Sequence, residues 1–220
     1  MIGVITYDYP HLKTEQVLHS FIKKGYALKI YGLPFAPRKA RRVIFQHRPN
    51  QTNATHPATI AQKHGIEYVG CWGDQDIDSG CDVYHVLIGR IISEECLVGK
   101  RIINCHPGIL PAVRGLDAFK WAIYKDNPLG VTLHYIDKDV DRGEIIAVES
   151  TAVYASDTIE TLARRHYENE IEMTSNFKYY MAPASNDCPR AEGKRHMRMG
   201  PGIESRVLKS FGRYVRRHMS

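Results

Sequence analysis

The stretch Asp82-Val83-Tyr84-His85-Val86-Leu87-Ile88 is almost continuously apolar, short, and rich in β-branched and aromatic residues. Such a run reads as a strand buried on both faces, as strands inside a parallel sheet are. Working outward, Glu67–Cys71 and Arg101–Cys105 read as strands on either side of it in sequence. Further upstream, Ile2–Tyr7 and Ala27–Tyr31 flank Lys13–Lys24, in which Val17, Leu18, Phe21 and Ile22 recur at helical spacing. A helix is expected over Pro57–His64. Strands alternating with helices give a layered α/β fold.

Downstream, Asp117–Lys125 reads as a helix, and Val131–Ile136 and Glu144–Glu149 as strands joined by a tight acidic connection. Asp157 with Glu160 three residues on reads as a capping box, opening a helix that runs to about Met181. Leu33–Pro57 is rich in proline, arginine and asparagine and is expected to be a mobile or substrate-facing excursion, with a possible strand at Arg42–His47. Residues 183–201 collect turn formers and basic residues, and Arg206–His218 has the pattern of a basic amphipathic helix. The expected organisation is therefore one folded domain over 1–182 and a basic tail over 183–220, linker plus short helix.

At 220 residues and 43% hydrophobic content the chain can bury one substantial core. No window reaches the roughly 18 uninterrupted apolar residues of a membrane helix. The five cysteines, Cys71, Cys81, Cys96, Cys105 and Cys188, are odd in number and form no Cys-x-x-Cys pair, which fits a reducing cytoplasm. The net charge of +6 is uneven: residues 183–220 carry nine Lys or Arg against three acids, a difference equal to the whole excess. Between Glu15 and Glu67 there is no acid at all, while nine Lys or Arg lie there, so that stretch attracts anions or is a solvated basic face.

The chemistry concentrates in Ile103-Asn104-Cys105-His106-Pro107-Gly108-Ile109-Leu110-Pro111, continuing to Arg114-Gly115-Leu116-Asp117, and in Gly130–Ile146 with its Asp141-Arg142-Gly143. Asn104 and His106 alternate at a strand end, so one amide and one imidazole share a face, at the carboxyl edge where open α/β sheets bind ligands. Taken singly, a strand histidine is a structural hydrogen-bonder and an Asp-x-Gly is a turn. The joint pattern carries the argument. It resembles the folate-dependent formyltransferases, which share Asn-x-His-Pro, a following Leu-Pro and Arg-Gly or Lys-Gly, and an Asp-x-Gly loop between two strands. The resemblance extends to Ile88-Gly89-Arg90-Ile91-Ile92 and covers roughly residues 65–180.

The resemblance implies a Rossmann-like, mostly parallel sheet flanked by helices. It implies 10-formyltetrahydrofolate as formyl donor and makes Asn104, His106 and Asp141 the catalytic trio. Arg90, Ile91, Ile92, Asp137 and Val140 are then expected at the folate, and Arg41, Arg42 and Arg114 at the acceptor. The chemistry wants such a trio. When an amine attacks a formyl carbon, charge grows on the oxygen while the nitrogen must lose a proton, so a donor and a proton shuttle are both needed. Alternation points Cys105 to the opposite face, as packing. His134 is expected to be a strand residue without special role, and with no second His or Cys at ligand spacing no metal is indicated.

The acceptor is expected to be the amino group of a nucleotide-linked sugar, whose phosphates suit the acid-free stretch; Tyr7, Tyr9, Phe35, Trp72 and Trp121 offer a stacking surface for its base. The glycine-rich phosphate loop of the enzymes that formylate glycinamide ribonucleotide has no counterpart at Thr6–His11, which weighs against that acceptor. Methionyl-tRNA and hydroxyamino acids are further alternatives, the former disfavoured because only a short basic tail follows the catalytic segment. A non-catalytic protein that uses the same fold to bind nucleic acid or another anion is the alternative of a different class.

Overall fold

The chain runs β1 (Ile2–Tyr7), α1 (Leu12–Lys23), β2 (Leu28–Leu33), α2 (Pro57–His64), β3 (Glu67–Gly70), β4 (Val83–Val86), α3 (Glu94–Leu97) and β5 (Ile102–His106). It continues with β6 (Arg114–Gly115), α4 (Ala118–Tyr124), β7 (Gly130–Tyr135), β8 (Ile145–Ser150), α5 (Ile159–Ser175), α6 (Phe177–Tyr180), β9 (Arg195–His196) and α7 (Pro201–His218). The computed structural model describes residues 1–37, 41–139, 141–181 and 194–219. The main sheet has seven strands in the order β3-β2-β1-β4-β5-β7-β8. β1 pairs in parallel with β2 and β4, β2 with β3, and β4 with β5, whereas β7 and β8 are antiparallel. The α/β class and the mostly parallel sheet expected from the alternation are what the structure has.

Two compact units divide the chain: Met1–Arg38, Asn50–Asn104 and Tyr135–Asp139 in the first, Lys39–Pro49, Cys105–His134 and Val140–Ser220 in the second. In the first, β4 is buried along its whole length, as its composition demanded. Ile5, Tyr31, Leu33, Tyr84, Val86, Ile88 and Ile102 form its core. β1 and β4 approach so closely that a Cβ on Gly3 would stand 2.4 Å from the Tyr84 ring. α1 buries Val17, Leu18 and Phe21, the residues whose spacing announced it. α2 occupies the residues expected, with proline in its first turn, the His56 ring accepting from the Ala58 amide, and Gly65 ending it at φ 64.

The second unit departs from the sequence reading in three places. Residues 41–47 form no strand. Val43-Ile44 has strand composition, yet the Ile44 amide donates to the Glu204 carboxylate at 2.7 Å, so a side chain stands where a neighbouring strand would. Phe45 is buried with Val113, Phe119 and Leu162, so this part of the excursion belongs to the core. The cap of α5 is Thr158 paired reciprocally with Thr161, one residue beyond the expected Asp157 with Glu160. Asp157 instead holds Arg165 through both carboxylate oxygens, at 2.7 and 2.8 Å. Finally, the basic helix begins at Pro201 and buries Val207, Tyr214 and Val215 in the same core as Phe119 and Leu162. Those three residues recur at i, i+7 and i+8, a narrow apolar stripe under a heavily charged surface.

Candidate active site

β5 carries Asn104 and His106 at alternate positions, and the chain then turns through Pro107 and Gly108. The turn is tight for a reason seen at Gly108, where a Cβ would lie 2.9 Å from the Val113 carbonyl oxygen and 3.0 Å from His106 Nε2. Thr132 of β7 pins the same turn, its hydroxyl donating to the Gly108 carbonyl at 2.8 Å and accepting from the Leu110 amide at 3.1 Å. His166 of α5 faces the Pro107 carbonyl through Nε2 at 3.2 Å and the Thr151 hydroxyl through Nδ1 at 2.9 Å. Burial lowers the His166 pKa to about 4, so that ring is neutral near pH 7 and donates to the carbonyl.

Within this frame the His106 ring is 3% exposed. Its Nε2 lies 2.8 Å from the Val113 carbonyl, which can only accept, so Nε2 carries the hydrogen. Nδ1 is therefore the nitrogen on which a proton can be gained or lost. It faces Asp141 Oδ1 at 3.6 Å, an ion-pair distance longer than a direct hydrogen bond.

Asp141 adopts φ 51, in the left-handed region. The conformation is secured at both ends: Oδ2 accepts from the Gly115 amide at 2.9 Å, and the backbone carbonyl accepts from Arg114 Nε at 3.1 Å. Gly115 sits at φ 90, and a Cβ there would come within 2.2 Å of the His196 carbonyl oxygen. The Arg-Gly pair of the sequence motif thus serves as a backbone clamp on Asp141, with Arg114 buried.

His134 completes the cluster. Its Nε2 is 3.9 Å from Asp141 Oδ1, and its ring meets that of His106 edge-on at 6.5 Å. The register between β7 and β8 jumps from Leu133↔Ala147 to His134↔Ile145, which leaves Ile146 as a bulge residue and turns the strand there. No sequence signal marks that bulge, and ligand spacing, the criterion by which His134 has no special role in the sequence, does not detect its place beside Asp141.

The other expected site residues are dispersed. Asn104 is partly exposed and closes the first unit. In that unit Arg90 and Ile91 are exposed, Ile92 is buried in the core, and the Asp137 carboxylate accepts from the Asp139 amide at 3.0 Å. Val140 lies outside the described residues. Arg42 is exposed. Arg41, expected at the acceptor, has its guanidinium engaged inside the second unit: Nη2 donates to Asp117 at 2.9 Å, Nη1 to the Met199 carbonyl at 2.6 Å, and Glu204 is 3.6 Å away. Trp121 stacks on His196 at 4.6 Å and donates to the Met197 carbonyl at 2.8 Å, so its ring and indole N–H both have protein partners.

A family model described as formyl transferase matches residues 80–176. The phosphoribosylglycinamide formyltransferase of Bacillus subtilis is 38% identical over 84 residues, 37% of this chain and 43% of that protein. The chain spans less than half the length of the curated relatives it matches first. Among solved structures, a 4-N formyltransferase from Francisella tularensis superposes with a TM-score of 0.62 at 15% identity, covering 94% of this chain and 86% of that one. An N-formyltransferase from Helicobacter canadensis, solved with folinic acid and dTDP-3-aminofucose, gives 0.59 at 16% identity, covering 87% and 67%. At those identities the likeness is one of fold.

Proposed function

We propose that this protein, whose residues 80–176 match the formyl transferase family model, moves a formyl group from 10-formyltetrahydrofolate to the nitrogen of a primary amine. The observation that carries the reading is the buried His106–Asp141 pair, clamped by Gly115 and Arg114, with Asn104 two residues earlier on the same strand. As the acceptor nitrogen bonds to the formyl carbon, negative charge develops on the formyl oxygen. The Asn104 amide donates to that oxygen at any working pH, and His106 supports it through Nδ1–H. A single such donor is worth about 3 kcal/mol and a positioned acid or base about a hundredfold in rate. The protonated Nδ1 gives its proton to the folate nitrogen as the carbon–nitrogen bond to it breaks, and the nitrogen so freed takes up the proton shed by the amine. Asp141 balances the charge on the ring while this happens. The products are the formamide and tetrahydrofolate.

The donor's pterin is assigned to backbone groups of Arg90–Ile92 and to the loop at Asp137. Ile92, whose side chain is spent in the core, fixes that segment. Arg114 acts on Asp141 in this reading, and Arg42 remains the exposed cation of the pair first expected at the acceptor. Among the described residues Cys71, Cys81, Cys96 and Cys105 form no disulfide, and a reducing cytoplasm is the location proposed.

For the acceptor we favour an amino-sugar nucleotide. Phe35 stacks on Tyr9 at 4.5 Å and meets Tyr7 edge-on at 5.1 Å, a platform suited to a base. The turn after β1 has no glycine and carries Asp8, held by the Tyr68 hydroxyl at 2.5 Å, an unfavourable neighbour for a phosphate. Glycinamide ribonucleotide is the second reading, and the 38% identity to an enzyme of that name is the observation in its favour.

The test is tetrahydrofolate release from 10-formyltetrahydrofolate, followed by absorbance, with amino-sugar nucleotides and glycinamide ribonucleotide as acceptors and His106→Ala as control. Release that needs one sugar nucleotide and disappears in the control is the expected result. Release with the ribonucleotide alone moves the assignment to the second reading, and absence of folate binding overturns both.

A further inference from the structure

We propose that the outward face of α7 binds the phosphate backbone of a nucleic-acid duplex. From Lys194 to Met219 there are eight Lys or Arg and one acid, Glu204; the chain as a whole is +6, so the remainder is close to neutral. Glu204 is fully buried and points inward, to Lys120 Nζ at 2.6 Å. At 3.6 residues per turn, Arg206, Lys209, Arg213, Arg216 and Arg217 fall within an arc of about 100°. All five are exposed. Arg217 is paired with Asp126, and the other four form no ion pair among the described residues.

The opposite face settles what kind of polyanion suits the stripe. Val207, Tyr214 and Val215 are buried in the core, and the Tyr214 hydroxyl donates to the Asn127 carbonyl at 2.9 Å. The apolar stripe with which an interfacial helix enters a lipid surface is therefore already covered by protein. Around the helix axis the exposed Leu208 lies about 130° from the middle of the cationic arc. The stripe also holds no aromatic side chain, so it lacks the stacking platform that single strands require. What remains is a straight row of fixed cations on a helix anchored from behind. That is a match for evenly spaced backbone phosphates, which bind by releasing condensed counterions without regard to sequence.

The experiment is fluorescence anisotropy of labelled duplex RNA and duplex DNA with the full chain across a salt titration. Four phosphate contacts give a slope of log K against log salt of about −4, or about a hundredfold loss between 50 and 200 mM salt. Replacing Arg206, Lys209, Arg213 and Arg216 together by Gln should reduce affinity about tenfold or more at 0.1 M salt and flatten the slope. Arg164→Gln, on the exposed side of α5, should leave both unchanged. If the fourfold variant does not fold, Arg213→Glu alone supplies the comparison. Binding that the α7 substitutions do not weaken overturns the proposal, as does the absence of salt-dependent duplex binding. Tighter binding to anionic phospholipid vesicles, lost with the same substitutions, overturns it in favour of a membrane surface. Tetrahydrofolate release by the α7 variants is measured alongside, so failure here and failure of formyl transfer are read separately.

Discussion

At Asp141 one backbone conformation and one amide decide where a carboxylate stands. A non-glycine residue at φ 51 costs on the order of 1 to 2 kcal/mol, and it persists because the Gly115 amide and Arg114 Nε hold it from both sides. Asp141→Asn separates charge from shape. Asparagine tolerates the same φ and keeps an oxygen for the Gly115 amide, but no longer balances a protonated His106. The expected result is a fall in kcat of about a hundredfold or more, with thermal unfolding unchanged within about 1 kcal/mol. Unchanged kcat in a folded protein would remove Asp141 from the mechanism. Asn104, His106 and Asp141 were legible in the sequence because a motif with fixed spacing joins them. Thr132 and His134 were not, because their places depend on contacts to the turn and on a bulge that only tertiary packing defines. Gly108→Ala tests the turn. With 2.9 Å to the Val113 carbonyl and 3.0 Å to His106 Nε2, the added methyl must displace one of them, and loss of activity should exceed loss of stability.

In the first unit β1, β2, β4 and α1 were readable because they bury the residues that their pattern marks, whereas the four-residue α3 carries no such pattern and β3 buries none of its residues; the boundaries of β5 and β7 moved by a single residue. α5 shows why other features were not. Its cap, Thr158 with Thr161, competes locally with Asp157, and the winner is set by Arg165, which takes both carboxylate oxygens and holds the Asp157 pKa at about 2. His166, on the same helix, gives a pH prediction. Burial lowers its pKa from 6.5 to about 4. The unfolded chain then takes up a proton that the folded ring refuses, so stability should fall as pH drops from 6.5 to about 4 and level off below that. A shift of this size corresponds to about 3 kcal/mol. Thermal denaturation of His166→Asn across that window should show a flatter profile than the unmodified protein, and identical profiles would assign the acid sensitivity elsewhere.

At the scale of the molecule, the second unit is drawn from stretches far apart in sequence, Lys39–Pro49, Cys105–His134 and Val140–Ser220, and a buried ionic cluster joins them. Glu204 accepts from Lys120 Nζ at 2.6 Å and from the Ile44 amide at 2.7 Å, while Asp117 accepts from Arg41 and from the Met199 amide, each at 2.9 Å. A tail read from composition as a basic appendage therefore supplies the carboxylate on which two other segments converge. Each of Val207, Tyr214 and Val215 contributes on the order of 2 kcal/mol by burial, and an unpartnered Lys120 in the core costs about 3 to 5 kcal/mol more. Their sum is comparable to the whole stability of a domain, about 5 to 15 kcal/mol. A chain ending at residue 193 should accordingly fail to fold its second unit, seen as loss of amide protection in α4. Glu204→Gln is the finer probe, because it keeps the shape and the Ile44 contact while leaving Lys120 and Arg41 unbalanced. Burial pushes the Glu204 carboxyl up, but the Ile44 amide, Lys120 and Arg41 outweigh it and hold its pKa below 4.5. Its contribution is present above pH 4.5 and fades as pH falls through the lower folded value. The variant should be less stable by about 3 kcal/mol or more at neutral pH, with the deficit shrinking in acid; a deficit that does not depend on pH would mean that the packing of Glu204, and not its charge, joins the three segments.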